Sequence, residues 1–328
     1  MKYLLIFLSV LFTAVTSFAA TPYGELCDIE PPVADLKISG KTLFMTFCGS
    51  KRIVAALDIT DPAEPVLRTT YRTGFFPQGL AVSPDGNRLA VADGRYISVL
   101  DLSDPEKLTL RLRFRIGETP SEGPVAVRYR ENTLLVACRN GGVRTIRNEK
   151  LDKMASANGQ RWARAFSGDD TVFHNALRIG GKMLPVPNGT PRNLRKLPDG
   201  RYCLANGFAG IGIIDPDGNA VFTPDLNRFS CYGANVYDIA SGDPVENGTV
   251  QYVFLAAGEI GIVTASVSGK EIRFADACNA LKWKNINGIL RVADNLIYAA
   301  DETYGLHVLE IQPDGRTLKL VNSLKLTD

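Results

Sequence analysis

The sequence predicts an all-β fold, a β-propeller of six four-stranded blades with seven as the alternative count. Three observations carry this. An apolar hairpin recurs at a nearly constant interval, Pro-Asp-Gly turns punctuate the chain, and helical periodicity is weak almost throughout.

The hairpin is an apolar strand ending in a small residue, a short polar or glycine-containing turn, then an alternating apolar strand. It runs from Leu43 to Cys48 and on through Ile53 to Asp58. Further copies are Leu89–Asp93 with Ile97–Asp101, Leu134–Cys138 with Val143–Ile146, and Tyr202–Ala205 with Ile211–Asp215. The last two are Tyr252–Ala257 with Ile262–Ala265, and Leu296–Ala300 with Leu306–Glu310. The first apolar residue after each turn falls at positions 53, 97, 143, 211, 262 and 306, in steps of 44, 46, 68, 51 and 44. Four of these lie near the ~40–50 residues of a four-stranded blade.

Pro84-Asp85-Gly86, Pro198-Asp199-Gly200, Pro216-Asp217-Gly218 and Pro313-Asp314-Gly315 read as tight turns. Proline presets φ at the second turn position, and glycine accepts the positive φ that follows. A sheet with two apolar faces cannot bury both alone. Packing successive sheets around an axis buries them and protects the edges. Closure is expected to pair the C-terminal strand near Leu318 to Leu326 with a blade that also holds N-terminal chain.

The long step is about 24 residues over the shortest, too little on this reading for a further blade. The segment at about 149–191 is therefore expected to be an irregular insertion. Its Trp162, Phe166, Phe173, His174 and Met183 suggest a packed cap or an extended hairpin.

The first residues precede the domain. Lys2 supplies a positive charge, Leu4 to Val15 is apolar apart from Ser9 and Thr13, and Ser17-Phe18-Ala19 suits a cleavage site. A run of about 12 apolar residues is too short to span a bilayer. Residues 1–19 are thus expected to be a cleaved signal peptide, and 20–328 a single propeller domain, periplasmic or secreted. Cys27 is no lipid-attachment site, because Glu25 stands just before it, well past the apolar run. No later stretch has the length and apolarity of a transmembrane segment.

Lysine plus arginine number 37 against 35 acids, a net charge of +2 with both signs interspersed. That pattern excludes a nucleic-acid surface. The densest basic stretch, Arg192-Asn193-Leu194-Arg195-Lys196, is read as a solvated strand edge.

Pro77-Gln78-Gly79-Leu80-Ala81-Val82-Ser83-Pro84-Asp85-Gly86-Asn87-Arg88-Leu89-Ala90-Val91-Ala92 resembles the first hairpin of bacterial YVTN-type propeller repeats. Leu57-Asp58-Ile59-Thr60-Asp61-Pro62-Ala63-Glu64-Pro65-Val66-Leu67 resembles the LVIVD repeat, as does Leu100-Asp101-Leu102-Ser103-Asp104-Pro105. The later copies keep only the hairpin pattern. The resemblance implies an extracytoplasmic propeller and names no activity, since fold does not carry function.

In a propeller, the turn between a blade's second and third strands opens on the same face as the lead-in to each innermost strand. Near those lead-ins stand Gln78, Asn193, Asn235 and Asn287. Around the turns stand Asp93, Arg95, Arg139, Asn140, Asn206, Glu259, Asp301 and Glu302. Such a ring suits polar ligands, although asparagine and aspartate also satisfy turn backbone without any ligand. No cofactor is predicted, with calcium as the exception to test: it takes 6–8 oxygen ligands, and Asn193, Asn235 and Asn287 are the candidates. Six-bladed lactonase-like enzymes resemble this layout, with calcium held at the channel mouth by asparagine and acidic side chains.

The usual catalytic constellations are missing. Only two histidines occur, with no HExxH spacing, no G-x-S-x-G elbow, no CxxC and no glycine-rich loop before a helix. His307 falls within a strand as a packing residue, and His174 has more freedom. Six cysteines allow 15 pairings. Cys27 with Cys48 is the favoured disulfide, since both belong to the first blade. Cys203 reads as a core strand residue. Asn188-Gly189-Thr190 and Asn247-Gly248-Thr249 match the glycosylation sequon and also read as exposed turns.

The expectation is therefore a monomeric binding or scaffolding propeller recognising a protein, peptide or glycan of the cell envelope through its turn-rich face. The alternative is a calcium-dependent lactonase- or esterase-like hydrolase with its site at the channel mouth. A purely structural envelope module is the third reading.

Overall fold

The computed structural model describes residues 34–326 except 48–50, 105, 120–121, 153–161, 188, 223–234, 246–249 and 278–284. The residues expected to form the signal peptide lie outside that set, as do Cys27, Cys48 and the asparagine of each sequon.

Seven four-stranded antiparallel sheets follow one another along the chain. Blade 1 is β1 Leu36–Ser39, β2 Thr42–Phe47, β3 Ile53–Asp58 and β4 Val66–Arg72. Blade 2 is β5 Pro77–Val82, β6 Arg88–Asp93, β7 Tyr96–Asp101 and β8 Thr109–Arg115. Blade 3 is β9 Pro124–Arg130, β10 Thr133–Cys138, β11 Gly142–Arg147 and β12 Lys150–Leu151. Blade 4 is β13 Ala163–Ser167, β14 Asp170–Phe173, β15 Ala176–Ile179 and β16 Lys182–Pro185. Blade 5 is β17 Asn193–Lys196, β18 Tyr202–Ala205, β19 Ile211–Ile214 and β20 Ala220–Phe222. Blade 6 is β21 Asp238–Val245, β22 Val250–Ala256, β23 Ile262–Ser268 and β24 Glu271–Ala277. Blade 7 is β25 Ile286–Ala293, β26 Leu296–Asp301, β27 Gly305–Ile311 and β28 Leu318–Lys325.

The count is seven, the alternative and not the main expectation. All six hairpins read from the sequence are second and third strands of blades. The seventh is β14–β15, inside the stretch expected to be an irregular insertion. Blade 4 fits there because its strands are only four or five residues long and its turns are tight. Gly168 (φ 55°), Gly180 (φ 55°) and Gly181 (φ 83°) take the left-handed conformation that such turns require.

The ring is held by apolar packing between successive sheets. Seven buried clusters each join two neighbouring blades. One unites Phe44, Val54 and Ala56 of blade 1 with Leu80, Leu89 and Val91 of blade 2. Another unites Leu43, Met45 and Phe47 of blade 1 with Tyr298, Leu306 and Val308 of blade 7. Alternate residues of β2 thus serve opposite neighbours, so its apolar run is nearly continuous.

Closure differs from the expectation. β28 pairs with β27 within blade 7, and among the described residues no blade mixes the two ends of the chain. Among the described residues, the seam is closed by that shared core and by hydrogen bonds from Tyr298 Oη to Pro62 O (2.8 Å) and from Asn322 Nδ2 to Ala63 O (3.3 Å).

The sequence turns behave as their residues require. Gly86, Gly200, Gly218 and Gly315 have φ between 72° and 93°, and each donates its N–H to the carbonyl three residues back. In the two LVIVD-like segments, paired aspartates accept backbone N–H groups two residues on. Asp58 takes Thr60 and Asp61 takes Ala63, as Asp101 takes Ser103 and Asp104 takes Glu106.

Candidate functional site: the turn face and channel mouth

The first strands of the blades contact one another around the ring and form its inner wall. At one end, lead-ins and second-to-third-strand turns are tied together. Arg139 N donates to Gly123 O (3.2 Å), Glu302 N to Asn285 O (3.0 Å) and Arg192 N to Ala205 O (2.8 Å). The turns of blades 5 and 6 also bridge to the following lead-ins, Gly207 with Val236 and Gly258 with Ile286. The face inferred from the repeat therefore exists as a bonded surface.

The expected residues divide into three groups. Asp93 and Asp301 sit at their turns but send their carboxylates into the blades. Asp93 accepts Phe75 N (2.8 Å), Arg113 Nη2 (2.9 Å) and Ser98 Oγ (3.3 Å). Asp301 accepts His307 Nε2 (3.1 Å) and Thr303 N (2.8 Å), while His307 Nδ1 meets Ser323 Oγ at 2.8 Å. Burial raises the Asp301 carboxyl, yet the His307 and Thr303 bonds outweigh it and hold the pKa below its usual value.

Ser323, His307 and Asp301 lie in the order of a nucleophilic triad. His307 is only 2% exposed, however, and Ser323 lies on the outer strand β28. Registers make His307 and Ser323 equivalent to Ser98 and Arg113 of blade 2. The line is a polar pin across three strands, a more specific role than the packing residue the sequence suggested.

A second group lines the channel. Asp238 accepts Asn193 Nδ2 (2.7 Å), Arg195 Nη2 (3.0 Å), Ile239 N (2.8 Å) and Ile289 N (3.1 Å). Burial pushes its carboxyl upward, against the pull of Arg195 and of the two N–H groups. One carboxylate so joins blades 5, 6 and 7. Asp35 repeats the device between blades 1 and 2 by accepting Leu80 N (2.8 Å). The basic stretch 192–196 is thus no solvated edge. It is the inner strand of blade 5, with Leu194 and Arg192 buried and Arg195 paired in the channel.

The three asparagines considered for calcium have separate surroundings. Asn193 Oδ1 accepts Leu194 N (2.9 Å) and Asn287 Nδ2 reaches Glu302 (3.4 Å). Among the described residues, Asn235 Oδ1 is buried with no hydrogen-bond partner, and it stands 3.2 Å from where a Cβ on Gly207 would be. Among the described residues, no group of three His, Cys, Asp or Glu side chains gathers as a metal site. Burial raises the Glu302 carboxyl, as does the nearby charge of Asp301. Asn206 is buried beneath the blade 5 turn.

The third group is accessible, and sequence reasoning found only part of it. Gln78, Arg95 and Arg139 are half-buried, whereas Asn140 and Glu259 are exposed. Beside them stand aromatic residues that an emphasis on polar turns overlooked. Trp162 is 43% and Phe208 64% exposed. Arg52 lies over Phe76 at 4.3 Å and Arg95 over Phe75 at 5.5 Å, with Phe75 stacked on Tyr96. His174 packs on Trp162 at 4.8 Å and takes a hydrogen bond at Nδ1 from Arg164 (2.7 Å). Since a guanidinium only donates, that contact places the proton of the neutral imidazole on Nε2. The signal available in the sequence was aromatic or arginine residues flanking the hairpin turns.

Cys138 and Cys203 are buried free thiols, and burial pushes Cys138 up to about 12. They are core residues with no reactive setting. A pocket of about 360 Å³ opens away from the turns, between blades 2 and 3, lined by Leu112, Phe114, Tyr129 and Ile146.

Seven sheets around a channel, with lead-ins and turns gathered on one face, define a seven-bladed β-propeller. Solved structures agree. The WD40 β-propeller domain of Doa1 superposes with a TM-score of 0.54 at 11% identity, covering 87% of this chain and 96% of that one. BamB from Moraxella catarrhalis gives 0.52 at 10% identity over 89% and 85%. YCF48 bound to D1 peptide gives 0.55 at 12% identity over 86% and 93%. At these identities the likeness is one of fold. No protein-family model and no curated protein matches the sequence. No helix among the described residues is long and apolar enough to cross a membrane.

Proposed function

We propose that this chain is an exported, monomeric binding propeller of the YVTN/LVIVD-repeat kind, which recognises a protein or peptide of the cell envelope through its turn face. The carrying observation is the company of Trp162 and Phe208 with the Arg52–Phe76 and Arg95–Phe75–Tyr96 pairs on one face. Tryptophan, tyrosine and arginine dominate binding hot spots, and rigid rings bury large area at small entropic cost. The segment 1–19 supports export, and the quoted repeats support the kinship. The structure of YCF48 with a peptide supports peptide recognition by such a fold.

The test selects binders from a displayed peptide library with the chain from Ala20 onward. Trp162→Ala and Phe208→Ala should each weaken the recovered peptides about tenfold or more, the scale of a hot-spot residue. Lys41→Ala and Lys182→Ala, at turns on the opposite face, should not. Peptides that lose affinity only with the opposite-face changes would sink the reading.

Asn235 Oδ1, a buried acceptor without a partner among the described residues, favours a second reading, the calcium-dependent hydrolase. Asn193, Asn235 and Asn287 would then offer oxygens to the ion. Stoichiometric calcium whose chelation lowers the melting temperature would support it. An unchanged melt without bound calcium would remove it.

A further inference from the structure

We infer that the pocket of about 360 Å³ between blades 2 and 3 binds a small ring-bearing carboxylate, its ring held between the two sheets and its carboxylate on Arg88. The site stands apart from the turn face, because the pocket lies at the other end of the blades. Its mouth carries Arg88, just past the turn at 83–87, Asn132 between β9 and β10, and Asn148 with Glu149 between β11 and β12. The gap follows from strand length. β12 has two residues, whereas β8, the outer strand of blade 2, has seven. Among the described residues, Leu112 and Phe114 of β8 are therefore only half-buried. Packed interiors keep few voids larger than a water, and ligand pockets begin at about 300 Å³.

Walls and mouth differ in chemistry. Val99, Leu112 and Phe114 of blade 2 and Leu134 and Ile146 of blade 3 form an apolar slot that suits a ring. The Arg88 side chain is 26% exposed and lines the pocket. Its guanidinium lies over the Tyr129 ring at 5.8 Å, which keeps the planar fork oriented. Among the described residues its ion pair is with Asp85, at 3.5 Å, and that carboxylate also accepts Ser83 Oγ and Asn87 N (3.2 Å). Most of the guanidinium's donors are thus open to a carboxylate, which arginine meets with two parallel hydrogen bonds. Glu149, the acid at the mouth, is offset by Arg111 at 3.7 Å. Burial raises the Tyr129 pKa, so its hydroxyl keeps a proton to donate. Asn148 and Glu149 have φ of 49° and 59°. Left-handed backbone is costly for a glutamate, and such strain gathers at ligand sites.

The test titrates 1-naphthylacetate, 1-naphthylacetamide and 1-naphthylmethylamine into the chain from Ala20 onward by isothermal titration calorimetry at neutral pH. The acetate should bind at least about tenfold tighter than the amide or the amine, the scale of a charge-assisted hydrogen bond. Arg88→Met should remove that preference and leave binding of the amide unchanged, which shows the slot intact. Leu112→Trp, which fills the slot, should abolish binding of all three while the chain still melts cooperatively. Trp162→Ala, on the turn face, should change none of them. Equal or tighter binding of the amide or amine, an acetate preference that survives Arg88→Met, or no saturable binding of the acetate would each overturn the inference. So would loss of acetate binding in Trp162→Ala, which would move the ligand to the turn face.

Discussion

Replacing Asp238 with alanine removes one carboxylate on which three blades converge. Its side chain is 4% exposed, while that of its partner Arg195 is 29% exposed. The change strands the Arg195 guanidinium in the channel and leaves the N–H groups of Ile239 and Ile289 without this acceptor. Breaking a buried ion pair by deleting one partner costs about 3–5 kcal/mol. Each orphaned buried donor costs about 1–3 kcal/mol, and these terms overlap because one carboxylate serves them all. The expected loss is about 4 kcal/mol, which at about 2 °C per kcal/mol for a large domain lowers the melting temperature by roughly 8 °C. Circular dichroism melts at neutral pH, backed by urea titration, measure it. The double variant Asp238→Leu/Arg195→Met removes both charges and should recover at least half of the loss, since apolar replacement of a buried pair is often neutral or better. A melting temperature within about 2 °C of the parent for Asp238→Ala would refute the staple. A double variant no better than the single would refute the stranded-charge argument.

Three further outcomes are expected. Gly79→Ala and Gly288→Ala should each destabilise by about 2–3 kcal/mol, because the new Cβ would stand 2.6 Å from Ala126 Cα and 2.4 Å from Ala34 O respectively. Gly40→Ala meets nothing within 4 Å and should cost only the roughly 1 kcal/mol of its left-handed φ, so equal urea midpoints for all three would contradict the inner-strand packing. Asp58, hydrogen-bonded first by Arg68 and then by Thr60, has its pKa lowered to about 2. A depressed acid contributes stability that is complete above its unfolded pKa of about 3.9 and is lost as pH falls through the folded value. NMR titration should therefore place its midpoint near 2, and Arg68→Gln should move it up towards 3.9. An unmoved midpoint would mean that Arg68 is not the cause. Cys138 and Cys203 should resist iodoacetamide at pH 8 and react only in denaturant, as peptide mass mapping will show. Native alkylation at the denatured rate would contradict their burial.

The sequence by itself determined the propeller, because sheets buried on both faces need nearly continuous apolar strands and those recur at blade spacing. It also determined local chemistry that closes within a few residues. The Pro-Asp-Gly turns and the turns closed by the aspartate pairs of the LVIVD-like segments bond to backbone N–H groups only two or three residues away. The turn face followed from repeat alignment, and Arg95, Arg139 and Glu259 stand on it as aligned. Tertiary structure decided the rest. Blade 4 was hidden because strands of four or five residues are too short to show a period, although β14–β15 carries the same inward apolar pattern. The stretch 192–196 looked like a surface edge because its charges outnumber its apolar residues. Arg195 is neutralised by Asp238, 43 positions away, and a residue's local neighbours do not reveal so distant a partner. His307 likewise became a pin only when the register set it between Asp301 and Ser323. Burial of an apolar side chain needs only a face to turn inward and leaves a periodic mark. Burial of a charge needs one particular partner, and only the closed ring brings that partner within reach.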